Sequence, residues 1–362
     1  MAMGDGEQRL RVAVAGLRIG REHLVALAKH PAAEIRAVCD PVEERAREMA
    51  TAFGVPAIYG DYEAMLTKED LDGVCIATPN RLHAPMIRAA LRRGLHVMCE
   101  KPLALDAAEA RDLLAEARAT GLTHATNFSN RPNPAVHYVQ EQLAADVLGR
   151  IYEVHLTYLQ DWLSEPAAPY TWRNSRAESG SGALGDIASH MLDLGRLFVG
   201  DVAAVSAHLG VVTPERVRPD GTVGRVDADD LAYLHLRYAN GPHGLVRVSR
   251  VARGRCDLKR VELYGERASL VLETDKGVNW VLRADEPTLW RGDNFRVVFA
   301  SDPNVRTWGG NVLAWVDAAL ARREMQPSFE DGLRCQELLD AALRSHAERC
   351  WIDVIRQSTT HA

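Results

Sequence analysis

Three side chains of this sequence have residue types and spacings that suit the chemistry of charge and protons. The tripeptide Glu100-Lys101-Pro102 closes the short apolar run 95–99, which follows Gly94 and a helical stretch. Such a run predicts a buried parallel strand that carries Lys101 to the carboxyl end of a sheet, where ligands bind in open α/β folds. A lysine at that edge is a fixed cation that can donate a hydrogen bond to a substrate oxygen.

The other two side chains are Asp186 and His190, which are four positions apart and therefore share one face of a helix. A carboxylate beside an imidazole can fix its tautomer and raise its basicity, and histidine moves protons near neutral pH. Most pairs of this kind are surface or satisfied helix pairs. Here the predicted helix 183–198 also carries the apolar residues Ala183, Leu184, Ile187, Met191, Leu194 and Leu197. Both side chains are therefore expected to be partly buried, which favours a proton-transfer role.

A glycine turn lies between the predicted strand 10–15 and a predicted helix, and it reads Gly16-Leu17-Arg18-Ile19-Gly20. Free N–H groups and the dipole at a helix start can bind pyrophosphate. The turn is one residue shorter than the usual G-x-G-x-x-G spacing, and Arg18 takes the place of the middle glycine. We expect either a plain strand–helix turn or a dinucleotide site in which Arg18 points its guanidinium at phosphate.

Asp40 ends the second predicted strand, twenty residues beyond Gly20. A carboxylate there accepts hydrogen bonds from the adenosine ribose hydroxyls, which favours the dinucleotide interpretation. It would also repel a 2′-phosphate by about 4 kcal/mol at a separation of ~4 Å, so the sequence predicts NAD rather than NADP. Alternatively, the Asp40-Pro41 pair only starts a helix, and Asp40 could serve both roles.

Strand and helix patterns alternate over residues 10–126, which predicts a parallel sheet with helices on both faces. After residue 127 a helix (134–147), a strand (151–159) and a loop rich in Trp, Pro and Gly precede the helix 183–198. Several strands with hairpin-like turns then follow between 202 and 298, including 278–283, and two helices end the chain.

The sequence therefore predicts an α/β protein with two domains. Residues 1–126 are expected to form a Rossmann domain with a doubly wound parallel sheet. Residues 127–362 are expected to form an α+β domain with a mainly antiparallel sheet. This sheet has more strands than the helices can cover, so we expect a homodimer or homotetramer to form through it.

Composition excludes several classes of function. The net charge of -6 argues against nucleic acid as the main partner. The polar start lacks the apolar segment of a signal peptide, and no apolar run approaches the ~18 residues that span a bilayer, so we expect a cytoplasmic protein without a membrane partner. Six dispersed cysteines without a C-x-x-C pair predict buried reduced thiols and no metal site.

Several motifs together resemble the glucose–fructose oxidoreductase/inositol dehydrogenase (Gfo/Idh/MocA) family over nearly the whole chain. They are the glycine turn with Arg21-Glu22-His23, Asp40-Pro41, Ala77-Thr78-Pro79-Asn80 with His83, Glu100-Lys101-Pro102, and the segment 182–190 that ends in Asp186 and His190. The glycine turn departs from the usual spacing. The resemblance implies hydride transfer between a nicotinamide and a carbon that bears a hydroxyl, on a sugar or cyclitol. It also implies that residues 127–362 form the domain for substrate binding and oligomerisation, built on a large open sheet.

The resemblance also implies a role for each matching residue. Lys101 would polarise the reacting oxygen, His190 would take the hydroxyl proton, and Asp186 would orient His190 or the substrate. The remaining residues would line the cofactor, with Glu100 at the nicotinamide ribose: Gly16, Arg18, Ile19, Gly20, Asp40, Thr78, Pro79, Asn80, His83, Glu100 and Lys101.

We expect substrate specificity to come from the loop 161–182, which precedes the predicted helix 183–198, and from the end of the last Rossmann strand. The candidates are Asn127, Arg131, Asp161, Trp162, Trp172 and Arg173, together with Asp186 and His190. Aromatic faces and carboxylates suit a sugar, and the acidic residues, which include Glu165, would suit an amino sugar of the aminoglycoside type. Two other functions stay open: an NADPH-dependent ketosugar reductase, and an NAD-binding regulator without catalysis.

Overall fold

The computed structural model of the protein describes residues 9–274, 286–291, 295–298 and 309–354. These residues divide into two compact units. The first comprises residues 9–133 and 309–333, and the second comprises the other described residues. The predicted strand 278–283 lies outside the described residues. The domain boundary predicted between residues 126 and 127 stays a prediction.

A six-stranded sheet forms the centre of the first unit. Its strands are β1 (Leu10–Ala15), β2 (Ala33–Cys39), β3 (Ala57–Tyr59), β4 (Gly73–Ile76), β5 (His96–Glu100) and β6 (His124–Asn127). They are all parallel and lie in the order β3-β2-β1-β4-β5-β6. The order reverses between β1 and β4, which makes the switch point where nucleotides bind in Rossmann folds. The predicted doubly wound parallel sheet is confirmed.

Ten α-helices are found in the described residues. They are α1 (Gly20–Leu27), α2 (Glu43–Phe53), α3 (Tyr62–Lys68), α4 (His83–Arg92), α5 (Ala107–Thr120), α6 (Pro134–Ala144), α7 (Arg176–Ser179), α8 (Ser189–Val199), α9 (Gly310–Leu320) and α10 (Phe329–Glu348). The ends of two of them confirm the sequence signals. Asp106 caps α5 by accepting from the N–H of Glu109, and Gly54 and Gly121 end α2 and α5 in the left-handed conformation.

Successive residues of a strand point to opposite faces, and this alternation builds a core on each side of the first sheet. Val12 and Val14 of β1 belong to one hydrophobic cluster, which includes residues of α1, α2 and α9. Ala13 and Ala15 belong to the other, which includes residues of α4 and α5. The strands are therefore nearly continuous apolar runs, as buried parallel strands usually are.

The sequence pattern did not reveal β3 or α3. β3 has only three residues, and Ile58 at its centre is exposed, so it lacks the apolar run that marked the other strands. The helix α3 has seven residues, and its N-cap Asp61 accepts a hydrogen bond from the N–H of Ala64. Elements this short carry too few residues for a periodic pattern to be recognised.

The second unit contains a nine-stranded sheet and a separate two-stranded ribbon. The strands are β7 (Ile151–Leu159), β8 (Val202–Gly210), β9 (Glu215–Val217), β10 (Val223–Arg225), β11 (Leu231–Tyr238), β12 (His243–Ser249), β13 (Leu258–Gly265), β14 (Ala268–Thr274), β15 (Glu286–Arg291), β16 (Phe295–Val298) and β17 (Ile352–Asp353). The ribbon pairs β9 with β10, which the sequence pattern did not reveal. The large sheet has the order β16-β15-β14-β13-β7-β12-β11-β8-β17. It is mainly antiparallel as predicted, with one parallel pair between β7 and β12.

The two faces of this sheet differ in composition. Val154, Leu156 and Leu234 are buried on the face against which α8 packs. The opposite face of β11 and β12 carries exposed residues, among them Tyr233, Leu245 and Arg247. The open face of these two strands thus mixes large apolar side chains with charged ones, and association of chains through it stays a prediction.

The predicted continuous helix 183–198 has a different first turn. Residues Leu184–Ala188 form a π-helical turn, and α8 follows from Ser189. Gly185 lies in this turn, and a Cβ there would come within 2.4 Å of the hydroxyl of Ser181. The hydrophobic pattern could not distinguish the two kinds of turn, because a single π turn displaces it by only one residue.

Candidate active site

The glycine turn closes tightly onto the end of β4. Gly16 has a φ of +82°, and a Cβ at this position would lie 2.5 Å from the carbonyl oxygen of Ala77. At Gly20, the first residue of α1, a Cβ would lie 2.9 Å from Val14. Only glycine fits the first position, because both the backbone conformation and the space exclude a side chain. The turn thus brings bare backbone and the start of α1 to the switch point of the sheet, while Arg18 is exposed and Ile19 half-buried.

Asp40 is buried at the end of β2 and holds the glycine turn in place. Its carboxylate accepts hydrogen bonds from the N–H of Leu17 at 2.9 Å and from the N–H of Val42 at 2.9 Å. The guanidinium of Arg45 donates to it at 2.9 Å. Asp40 therefore does shape the start of α2, as the alternative interpretation held. Its contact with a ribose stays a prediction.

His83 links two loops at the same edge of the sheet. Its Nδ1 lies 2.8 Å from the carbonyl oxygen of Pro102, and its Nε2 lies 3.0 Å from that of Thr78. Burial lowers the pKa of His83, although the two carbonyls oppose the shift. The ring is fully buried, so it joins the loop of Thr78, Pro79 and Asn80 to the loop after Lys101. Its direct contact with the cofactor stays a prediction, which this burial disfavours.

Glu100 anchors the chain immediately before Lys101. Its Oε1 accepts a hydrogen bond from His23 Nε2 at 2.9 Å and another from Asn127 Nδ2 at 2.7 Å. Burial would raise the pKa of Glu100, but His23, Lys101 and Asn127 together lower it to about 2. The carboxylate is thus ionised and fixed on two sides. Lys101 itself is half-buried at the end of β5.

Asn127 and Arg131, which the sequence assigned to the substrate, lie among protein partners in the structure. Asn127 is buried, and its Oδ1 accepts a hydrogen bond from Asn311 Nδ2 at 3.2 Å. Arg131 is buried and pairs with Asp331 at 2.8 Å. Their assignment to the substrate stays a prediction that burial disfavours. The partners His23 and Asn311 were missed as site residues, although His23 belongs to the motif of the glycine turn.

In the second unit, Asp229 fixes the turn that carries Asp186. Its carboxylate accepts hydrogen bonds from the N–H groups of Gly182 at 2.7 Å and Leu184 at 2.8 Å. A Cβ on Gly182 would lie 1.8 Å from the backbone of Asp229, so this approach requires glycine. Burial raises the pKa of Asp229, while Arg250 and these N–H groups act in the opposite direction. No sequence signal marked Asp229 as part of the site.

Asp186 and His190 lie in this turn and in the first turn of α8. Asp186 Oδ2 is 3.7 Å from Nε of Arg173 and 3.8 Å from Nη1 of Arg250. His190 is largely buried, and its ring centroid lies 6.1 Å from that of Tyr158. The predicted helical pair is thus embedded in the second unit, with two guanidinium groups near the carboxylate.

A buried polar network lies where β7 ends and β13 begins. Tyr158 donates a 2.6 Å hydrogen bond to Asp257 Oδ1, which also accepts from Gln160 Nε2 at 3.0 Å. Lys259 Nζ lies 3.3 Å from Asp257 Oδ2. Burial and then Asp257 raise the pKa of Tyr158, so its hydroxyl keeps its proton. The sequence did not reveal this network, because its members alternate with ordinary core residues.

Residues of the loop 161–182 make hydrogen bonds and a stacking contact within the second unit. Trp162 donates from Nε1 to Gln160 at 3.0 Å, and Asp161 accepts from the N–H of Gly254 at 3.1 Å. The guanidinium of Arg173 stacks on the ring of Trp172 at 4.3 Å from its centroid. Their contact with substrate stays a prediction.

Neither a metal-binding cluster nor a membrane-spanning helix is found in residues 9–274, 286–291, 295–298 and 309–354. In those ranges no group of three or more His, Cys, Asp and Glu side chains could hold a metal ion. No helix there combines the length and the hydropathy needed to cross a membrane. All six cysteines are free thiols, and Cys39, Cys75, Cys99 and Cys335 are buried as predicted. The prediction of burial is wrong for Cys256, which is half-buried, and for Cys350, which is exposed.

Comparison with family models identifies both parts of the chain. Residues 10–128 match the model described as the oxidoreductase family with an NAD-binding Rossmann fold. Residues 136–271 match the GFO/IDH/MocA C-terminal domain. These two matches cover more than half of the sequence, so the family resemblance no longer depends on short motifs.

Characterised relatives and solved structures align over most of the chain. The levoglucosan dehydrogenase of Pseudarthrobacter phenanthrenivorans is 32% identical over 94% of this chain and 97% of its own. The D-apiose dehydrogenase of Paraburkholderia graminis is 27% identical over 91% of this chain and 85% of its own. A solved levoglucosan dehydrogenase in complex with NADH and L-sorbose has a TM-score of 0.88 and 30% identity, over 97% of this chain and 100% of its own.

Proposed function

This chain belongs to the glucose–fructose oxidoreductase/inositol dehydrogenase (Gfo/Idh/MocA) family, and we propose that it oxidises a secondary hydroxyl of a sugar or cyclitol to a ketone with NAD. The observation that carries the proposal lies in the first unit. Lys101 directly follows β5, at the edge of the sheet where Gly16 closes on Ala77. Bound NAD would supply the acceptor for the hydride that leaves the carbinol carbon.

The residues of the first unit fit a dinucleotide. The bare backbone at Gly16 and the start of α1 suit a pyrophosphate, and Arg18 is exposed beside them. We assign the adenosine ribose to Asp40. Its carboxylate already accepts from the N–H groups of Leu17 and Val42 and from the guanidinium of Arg45, so a ribose hydroxyl would take the place of Arg45 on it.

Lys101 and His190 have separate tasks in this proposal. Lys101 donates a hydrogen bond to the reacting oxygen and stabilises negative charge that develops there. His190 accepts the hydroxyl proton, which a positioned general base can do with a gain of about 100- to 10,000-fold. Asp186 orients His190 or the substrate. Tyr158 is a poor alternative base, because its hydroxyl donates to Asp257 and its pKa is raised.

The substrate is expected to contact Trp162, Trp172 and Arg173, whose aromatic and polar surfaces suit the CH faces and hydroxyls of a sugar. An amino sugar is the second candidate, on the ground that the same loop carries the acidic residues Asp161 and Glu165. The reverse reaction, reduction of a ketosugar, uses the same residues, and NADPH in that role is disfavoured by Asp40. A cytoplasmic location remains a prediction.

The proposal is tested by adding NAD and a panel of levoglucosan, D-glucose, D-apiose, myo-inositol and amino sugars to the purified protein. We expect absorbance of reduced nicotinamide to appear with at least one neutral sugar or cyclitol, and its ketone to appear in equal amount. If every member of the panel, amino sugars included, leaves NAD oxidised while the protein binds NAD, the proposed reaction is wrong.

A further inference from the structure

We propose that Arg173 and Asp186 hold one hydroxyl group of the substrate between them, and that this subsite selects hydroxylated sugars or cyclitols over amino sugars. The inference rests on the proposed function and deepens it by naming the chemical group that is recognised. All of its residues lie in the second unit.

The distances around Asp186 suit a bridged oxygen atom. Asp186 Oδ2 lies 3.7 Å from Arg173 Nε, which is longer than a direct hydrogen bond. An oxygen placed beside both atoms can reach hydrogen-bond distance to each of them. The side chains of Asp186 and Arg173 are 22% and 26% exposed, so a ligand can reach them.

The two groups are held in place by their surroundings. Arg173 stacks on Trp172 within a short turn that Thr171 caps at its start. On the other side of Asp186, Arg250 is fully buried and donates from Nη2 to the carbonyl oxygen of Asp229 at 2.7 Å. The spacing between the carboxylate and the guanidinium is therefore built into the fold and does not depend on a mobile surface chain.

Hydrogen-bond chemistry distinguishes a hydroxyl from an ammonium at this point. A group between Arg173 Nε and Asp186 Oδ2 must accept from the guanidinium and donate to the carboxylate. A hydroxyl does both, whereas an ammonium has donors only and would face the N–H of Arg173 without an acceptor. The guanidinium of Arg250, 3.8 Å from the same carboxylate oxygen, further offsets the charge that would attract a cation.

Other acids near this loop are engaged elsewhere, which weakens the case for an amino sugar. Asp161 accepts from the N–H of Gly254, and the exposed Glu165 pairs with Arg253. Asp257 is buried with Tyr158 and Lys259. Asp186 differs from these three carboxylates because the guanidinium nitrogen of Arg173 lies 3.7 Å from it, a separation that a hydroxyl can bridge.

The test compares a neutral sugar that the enzyme oxidises with analogues in which one hydroxyl beside the reacting carbon is replaced by an amino group. For one such analogue we expect kcat/KM to fall about tenfold or more, because a hydrogen bond to a charged group is lost and an N–H is left unpaired. Arg173→Gln should reduce this discrimination, since the amide oxygen of glutamine can accept from the ammonium.

Arg344→Gln is the matched control, because Arg344 pairs with Glu348 on the exposed surface of α10 in the same unit. It should leave the discrimination unchanged. Equal or better use of every amino analogue by the wild-type enzyme would overturn the inference while sugar oxidation stands. An equal loss for both substrates in Arg173→Gln would also overturn it. If no sugar is oxidised, the proposed function itself fails, and this inference with it.

Discussion

His23 Nε2 lies 2.9 Å from Glu100 Oε1, and both side chains are buried in the first unit. The residues are 77 positions apart, at the start of α1 and at the end of β5. This bond connects the helix that follows the glycine turn to the strand that precedes Lys101. Two parts of the candidate site thus share one buried hydrogen bond.

Removing His23 should destabilise the protein strongly. In His23→Leu the ionised Glu100 loses a partner without regaining water, which we expect to cost about 3 kcal/mol in the free energy of unfolding. His30→Leu is the matched control, because His30 bonds to Asp317, which is largely exposed and keeps its water, and to the N–H of Ala32, so its loss should cost about 1 kcal/mol. Urea unfolding measures both values. Equal losses in the free energy of unfolding for the two substitutions would show that the buried bond stabilises the protein no more than the bond to the exposed Asp317.

Gly16→Ala should abolish NAD binding or prevent folding, because an added Cβ meets the backbone of Ala77 and Thr78. Gly54→Ala separates the effect of the positive φ from the effect of the missing space. Gly54 also has a positive φ, of +66°, but nothing lies within 4 Å of the place that an added methyl group would take. We expect Gly54→Ala to cost about 1 kcal/mol of stability and to keep NAD affinity, measured by calorimetry. Wild-type NAD affinity in Gly16→Ala would refute the close approach.

Asp40→Ser should narrow the preference for NAD over NADP. The substitution removes the charge that repels a 2′-phosphate and leaves Arg45, which now donates to Asp40, able to bind that phosphate. NAD affinity should also fall, since Leu17 loses the acceptor of its N–H. Arg47→Ser, on the exposed side of α2, is the control. A wild-type enzyme that uses NADP as readily as NAD would contradict the role of Asp40.

The sheet of the second unit is expected to form a contact between copies of the chain. Tyr233 and Leu245 are 40% and 37% exposed on the open face of β11 and β12. Leu245→Arg should shift the protein toward the monomer in sedimentation at micromolar concentration. Val212→Arg, at a position 55% exposed outside these strands, should not. If the wild-type protein sediments as a monomer at micromolar concentration, this prediction is wrong.

The sequence was sufficient where the signal is local. The strand before Lys101 was recognised because an apolar run follows Gly94, and α5 because Asp106 and Gly121 mark its ends. These features depend on neighbours in the chain, which a single sequence displays directly.

The contacts between distant residues could not be predicted from one sequence. Asn127 and Asn311 are 184 positions apart, and Tyr158 and Asp257 are 99 apart. Nothing local distinguishes such polar residues from those that face solvent. The same limit applies to Arg250, which in the sequence is one residue at the end of a strand and in the structure is a buried neighbour of Asp186.

The proposed chemistry is tested most directly at Lys101 and His190. His190→Ala and Lys101→Ala are compared with the wild type and with Lys68→Ala, a lysine exposed at the end of α3. Lys101→Arg tests whether charge alone suffices, and we expect it to stay inactive because a planar guanidinium does not replace a compact ammonium.

NAD reduction and NAD affinity are to be measured on the same preparations, with the best sugar or cyclitol of the panel. We predict that His190→Ala loses about 100- to 10,000-fold in turnover and that Lys101→Ala also loses turnover, while both bind NAD and Lys68→Ala behaves as the wild type. Turnover near the wild-type rate in His190→Ala would contradict the proposed mechanism, because the hydroxyl proton would then leave by another route.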